Sequence, residues 1–128
     1  VAKVRAAPLP IGVSQQRGTE LVVTGFPGGG RLTLIPARVR AVTSSKGTDI
    51  YGNRPVRREI YALRADIKQG DSGAPLLAAD GSVVGLVFAS SATDQQTGYA
   101  LVPDLITAAL EEASAATAAV DTGDCISE

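Results

Sequence analysis

The run Gly70-Asp71-Ser72-Gly73, followed by Pro75 and Leu76, is the part of this 128-residue chain whose residue types and spacing carry chemistry. A serine hydroxyl is a weak nucleophile. It becomes effective where a turn exposes it, a base takes its proton, and fixed donors meet the charge that develops on the attacked carbonyl oxygen. Gly70 and Gly73 give the backbone freedom on either side of Ser72 that a sharp bend needs. Such a bend can aim the N–H groups of Gly70 and Ser72 at one point, forming an oxyanion hole suited to acyl transfer. Pro75 then opens a strand that would fix the turn on a rigid element. The six fixed positions of GDSGxPL arise by chance in a chain of this length on the order of once in 10^5 sequences. The bland alternative is a hairpin turn rich in Gly, Asp and Ser. The chain has no histidine, so the usual base for such a serine must come from outside it.

Other chemistry is poorly supplied. Lys46 or Lys68 could act as base in a Ser–Lys dyad, although closeness in sequence does not place Lys68 on the hydroxyl. The glycines of Gly25–Gly30 lack the Gly-Lys-[Ser/Thr] that would hold phosphate and metal. With no histidine, one cysteine and scattered acids, no metal or other cofactor is expected. Twelve basic and thirteen acidic residues leave a net charge of −1, which gives no case for nucleic acid as a partner. Arg54, Arg57 and Arg58 cluster, but with Asp49 and Glu59 beside them they read as a solvated loop. No apolar run approaches the ~20 residues of a membrane helix. No leader opens the chain at Val1, so any targeting segment is expected upstream.

The elements that must position Ser72 are read from periodicity and turn residues. Val1–Ala6 alternates as a strand fragment that starts abruptly, and Pro8–Gly18 is a turn-rich loop. Glu20–Phe26 reads as a strand ended by Pro27-Gly28-Gly29-Gly30. Arg31–Val42 is a long β run in which Pro36 marks an edge or a bulge. Ser44–Arg58 reads as a loop and Glu59–Ala65 as a strand. Asp80-Gly81 joins Leu76–Ala79 to Ser82–Ser90 in a hairpin, and Gln95–Val102 contains a further strand. Pro103 to about Ala118 is the one helix, with Asp104 at its N-terminus and a tail running on to Glu128. Roughly six strands and a terminal helix predict an all-β fold over residues 1–128, a small antiparallel barrel or sandwich.

On these residues the chain resembles the chymotrypsin/trypsin-like serine proteases, whose nucleophile motif GDSGAPL matches at Gly70–Leu76. The resemblance covers nearly the whole chain. It implies the second, six-stranded antiparallel Greek-key barrel of a double-barrel enzyme, followed by a C-terminal helix. Histidine and aspartate would then come from the first half. VAKVRA, from Val1, is similar to the family's stretch after the catalytic aspartate, so that aspartate is expected immediately before Val1. GFPGGG, PARVR, DIYG, RADIKQGDSGAPL and TGYAL together resemble the actinobacterial membrane-anchored periplasmic proteases. That resemblance implies an extracytoplasmic location and a membrane-anchored parent.

The resemblance also implies roles. Ser72 would be the nucleophile, with Gly70 and Ser72 donating to the oxyanion. Asp71 would be a structural ion or hydrogen-bond partner rather than the triad acid. Ala74 departs from the family's usual glycine. Substrate would be received by Asp66 and Gln69, by Phe88, Ala89 and Ser90, and by Gly98. Asp66, six residues before Ser72, stands where relatives place an acid selecting Arg or Lys, or is simply a surface or Arg-paired aspartate. Cys125 would pair with the other half, or remain a free tail thiol. The implied partners are the N-terminal barrel and a peptide or protein substrate. An isolated half would expose an apolar inter-barrel face that invites self-association. The competing reading is a non-catalytic, protease-like module that binds peptides or partners.

Overall fold

The computed structural model describes residues 5–48, 55–121 and 123. The described residues form six strands: β1 (Glu20–Gly25), β2 (Thr33–Thr48), β3 (Pro55–Arg64), β4 (Pro75–Leu77), β5 (Val83–Ser90) and β6 (Thr97–Leu101). A 3-10 turn at Pro27–Gly29 and a helix, α1 (Pro103–Ala115), complete the described elements. All strand pairs are antiparallel, and the order β1-β2-β3-β6-β5-β4 closes on itself. This is the Greek-key barrel expected, followed by its C-terminal helix. Closure removes the free sheet edges that β1 and β4 would otherwise present.

Alternation builds the core. Leu21 and Val23 of β1, Ile35, Ala37 and Val39 of β2, and Tyr61 and Leu63 of β3 face inward. Leu76, Val84, Val87 and Ala100 complete the interior from the other three strands. In β1 to β3 the inward face is stripped of water while the alternate positions stay more exposed, as period-two patterning requires. Pro36 pairs only with Val22 of β1, so the N–H it lacks is not missed by a second neighbour.

Ahead of β1 a strap crosses the barrel end. Gly12 N–H donates to Val83 C=O (2.9 Å), Val83 N–H donates to Pro10 C=O (2.8 Å), and Gln15 N–H donates to the buried Tyr61 hydroxyl (2.9 Å). At Asp80-Gly81 the expected hairpin forms. Asp80 accepts from Ser82 N–H (2.9 Å), and Gly81 takes a positive φ of 83°.

Two boundaries differ from the sequence reading. Ser44–Arg58 is not a loop throughout: β2 runs on to Thr48 and β3 starts at Pro55, forming a long projecting hairpin. Polar residues sit there because this arm is largely out in solvent, so it needs no apolar face. The helix stops at Ala115 rather than near Ala118. It buries Pro103 and Ile106 while Leu110 stays exposed, so little packing holds its last turns. Arg5 and Ala6 carry no strand, and the rest of the expected first strand lies outside the described residues. So do Asp49–Gly52 of the DIYG stretch, and Cys125 with its disulfide.

Candidate active site

The segment between β3 and β4 must cross the barrel end, because these strands are not neighbours. Ser72 rides on that crossing and is exposed. Gly70 (φ 101°) and Gly73 (φ 86°) flank it in the left-handed region that disfavours side chains. Gly70 has a second reason to be glycine. A Cβ there would stand 2.6 Å from the Phe26 carbonyl oxygen and 3.1 Å from the Gly28 and Gly29 nitrogens. The Pro27–Gly29 turn is therefore the floor on which the nucleophile turn rests.

That floor also orients the Gly70 N–H. Gly28 N–H donates to Gln69 C=O at 2.7 Å. The peptide is trans, so its C=O and N–H point in opposite directions, and the Gly70 N–H is turned away from Gly28. Neither the Gly70 N–H, the Ser72 N–H nor the Ser72 hydroxyl is engaged among the described residues. Gly73 N–H donates to Val87 C=O (2.7 Å), and Val87 N–H donates to Ala74 C=O (2.9 Å), tying the turn to β5.

Asp71 faces the other way and is fully buried. Its Oδ2 accepts Lys68 N–H (2.9 Å), while Asp71 N–H donates to Lys68 C=O (3.1 Å). Oδ1 has no partner among the described residues. It lies over Gly25, where a Cβ would stand 2.3 Å from it. Gly25 at the end of β1 is thus the space that Asp71 occupies.

The candidate substrate-binding residues come from three stretches that meet. Ser90 pairs with Gly98 and Ala89 with Tyr99, with a register shift at Phe88 that leaves this ring half-exposed. Gly98 is packed under Ile67, whose Cγ1 is 2.5 Å from where a Cβ on Gly98 would be. Ala65 N–H donates to Gln96 C=O (2.9 Å), joining the first stretch to the third. Gln69 is exposed beside Gly70. Asp66 pairs with Lys68 Nζ (3.1 Å), both side chains well exposed, and lines a groove with Glu20, Arg38, Arg64 and Gln96. Lys68 is thus held by a carboxylate, and Lys46 lies out on the projecting hairpin. Among the described residues no cluster of His, Cys, Asp or Glu could hold a metal ion.

Sequence reasoning missed a cluster beside these residues. The Asp94 carboxylate accepts from Gln96 N–H, the Thr97 hydroxyl and Arg40 (2.9, 2.7 and 3.2 Å). Those bonds, the Thr97 hydroxyl foremost, hold the Asp94 carboxyl below the ordinary range. Arg40 and Asp94 are 54 positions apart, so only the fold brings them together.

The sequence pattern of the trypsin-like peptidase domain matches residues 1–86, a span that includes Ser72. The chain belongs to the trypsin-like peptidase family. Two curated relatives, serine proteases MT3772 and Rv3671c (MarP) of Mycobacterium tuberculosis strains, are 44% identical to this chain over 111 residues. The matched stretch is 86% of this chain and 28% of each relative, so the chain spans little more than a quarter of their length. The crystal structure of the Rv3671c protease in its active form superposes with a TM-score of 0.88 at 40% identity, covering 98% of this chain and 56% of that one. An HtrA-type protease, AlgW with tripeptide, shares the fold at TM-score 0.71 and 20% identity, covering 88% of this chain and 37% of that one.

Proposed function

We propose that this chain is the C-terminal half of a serine endopeptidase, with Ser72 as nucleophile. The observation that carries the reading is the turn itself. An exposed hydroxyl sits between two positive-φ glycines, with the N–H groups of Gly70 and Ser72 beside it and unengaged among the described residues. That arrangement suits acyl transfer: Ser72 Oγ attacks a peptide carbonyl, and the two N–H groups meet the resulting oxyanion. The proton must go to a base, and the chain has no histidine. Histidine and aspartate are therefore supplied by an N-terminal half outside this chain, and the chain alone is inactive apart from the small residual effect of the donors.

The partners follow. Peptide substrate lies along Phe88–Ser90 and enters the space bounded by Asp66–Gln69 and Gly98. The N-terminal barrel covers the apolar side of the β1–β2 hairpin, where Phe26, Leu32 and Leu34 are more than half exposed. We place the parent protein outside the cytoplasm, anchored in a membrane. The support for that placement is the resemblance of GFPGGG, RADIKQGDSGAPL and TGYAL to membrane-anchored periplasmic proteases.

The test is covalent labelling by a fluorophosphonate probe, applied to this chain, to the longer protein that carries it, and to its Ser72→Ala variant. Labelling of the longer protein alone, lost in Ser72→Ala, is the expected result. Failure of the longer protein to label would favour a non-catalytic, peptide-binding module.

A further inference from the structure

We propose that Arg40 and Asp94 are positioning residues for the substrate-binding wall, holding the loop between β5 and β6 in the shape substrate requires. The proposal rests on the reading of Ser72 as a protease nucleophile. The loop covers Ser91–Gln96, and the residues framing it, Ser90 and Gly98, are register partners. Ser91 N–H donates to Thr97 C=O (2.8 Å) and Thr97 N–H donates to Asp94 C=O (3.0 Å), closing the loop at its base.

Within the loop the Asp94 carboxylate is the hub. Oδ1 takes Gln96 N–H, and Oδ2 takes both the Thr97 hydroxyl and Arg40 Nη1. Arg40 donates to Thr97 Oγ1 as well. Thr97 is only 7% exposed, so its hydroxyl depends on these two partners rather than on water. Arg40 reaches the loop because it sits at a register shift between Val39 and Ala41. A bulge breaks the strand's alternation and re-aims a side chain, here past β3 toward the start of β6.

The loop is coupled to the rest of the pocket. Gln96 C=O accepts Ala65 N–H, one residue before the Asp66–Gln69 stretch, and Gly98 lies under Ile67. A shift of the loop therefore moves Ser90 and Gly98, while the Ser72 turn stays tied to Val87 and Gly28. The Arg40 and Asp94 side chains are 50% and 49% exposed, so the ion pair itself is too well solvated to be a main support of the barrel. Its effect is geometric. Binding sites lose effectiveness when a positioning group lets substrate drift by an ångström.

The experiment uses the longer protein that supplies the histidine and aspartate, as wild type, Arg40→Gln, Asp94→Asn and Arg40→Lys. Two readouts are compared: Ser72 labelling by a small fluorophosphonate that does not fill the pocket, and peptide hydrolysis resolved into kcat and KM. Arg40→Gln and Asp94→Asn should raise KM about tenfold while labelling stays within about twofold. Arg40→Lys should recover part of the loss, since an ammonium can still reach one acceptor. An unchanged KM in both variants overturns the proposal. So does a parallel fall in labelling and kcat, which would mean loss of folded enzyme instead of a displaced wall. A wild-type protein that neither labels nor cleaves overturns the protease reading, and this proposal with it.

Discussion

At the scale of residues, the two glycines that matter most are held by neighbours rather than by the motif alone. Gly70 combines a positive φ with a carbonyl oxygen 2.6 Å from any added Cβ. Gly70→Ala in the longer protein must therefore tilt the peptide that carries the proposed oxyanion donor. Fluorophosphonate labelling should fall about 10²- to 10³-fold, the cost of losing one such donor. Gly25 is a less obvious case, because it belongs to a strand and not to the nucleophile motif. Its Cβ would overlap Asp71 Oδ1, so Gly25→Ala should destabilise the barrel by about 1–3 kcal/mol in urea denaturation. The nucleophile turn was legible in sequence because its chemistry is local: Gly, Asp, Ser and Gly stand next to one another. Gly25 against Asp71, and Arg40 against Asp94, were not legible. Each pair is joined by closure of the barrel, and nothing in the intervening residues records it.

At the scale of elements, β1, β5, β6 and the Asp80-Gly81 hairpin were readable from alternation and turn residues. The projecting part of β2 and β3 was not, because a two-stranded arm in solvent has no buried face to impose a hydrophobic pattern. The strap ahead of β1 offers a cleaner test of what fixes an element. Tyr61 is fully buried and its hydroxyl accepts from Gln15 N–H. Tyr61→Phe leaves that donor to find water, and should cost about 1 kcal/mol of stability by chemical denaturation.

The hairpin turn carries a pH signature. The Ser82 hydroxyl, then its N–H, hold the Asp80 carboxyl below its ordinary value of 3.8. A carboxyl lowered on folding contributes fully above the unfolded value, and the contribution is lost as pH falls through the folded one. Denaturation midpoints of the wild type should therefore decline on the acid side below about 3.8. Asp80→Asn should flatten that part of the decline, while a single neutral-pH measurement would miss it.

At the scale of the whole molecule, the chain is a closed barrel whose outer wall is not uniformly suited to water. Leu34 is 68% exposed and Leu32 61%, with Phe26 also exposed at the same end of the β1–β2 hairpin. A cluster of this kind is usually covered. The isolated chain should therefore self-associate in size-exclusion chromatography with light scattering. Leu32→Ser with Leu34→Ser should shift it toward monomer without altering the circular dichroism of the barrel.

The strand order has a consequence for when the turn carrying Ser72 takes shape during synthesis. The crossing that carries Ser72 hangs from β3, which is zipped to β6, and from β4, which is zipped to β1 and β5. The residues that hold it, Gly28, Val87 and Gln96, come from widely separated stretches of the chain. Forming it means closing long loops before any contact rewards them, the costly step in folding β topologies. A nascent chain that has emerged only as far as Leu77 already displays every letter of GDSGAPL, yet lacks β5 and β6 to shape the bend. The bend at Ser72, the nucleophile proposed above, thus takes shape only once β5 and β6 have arrived, a delay written into the order of the strands.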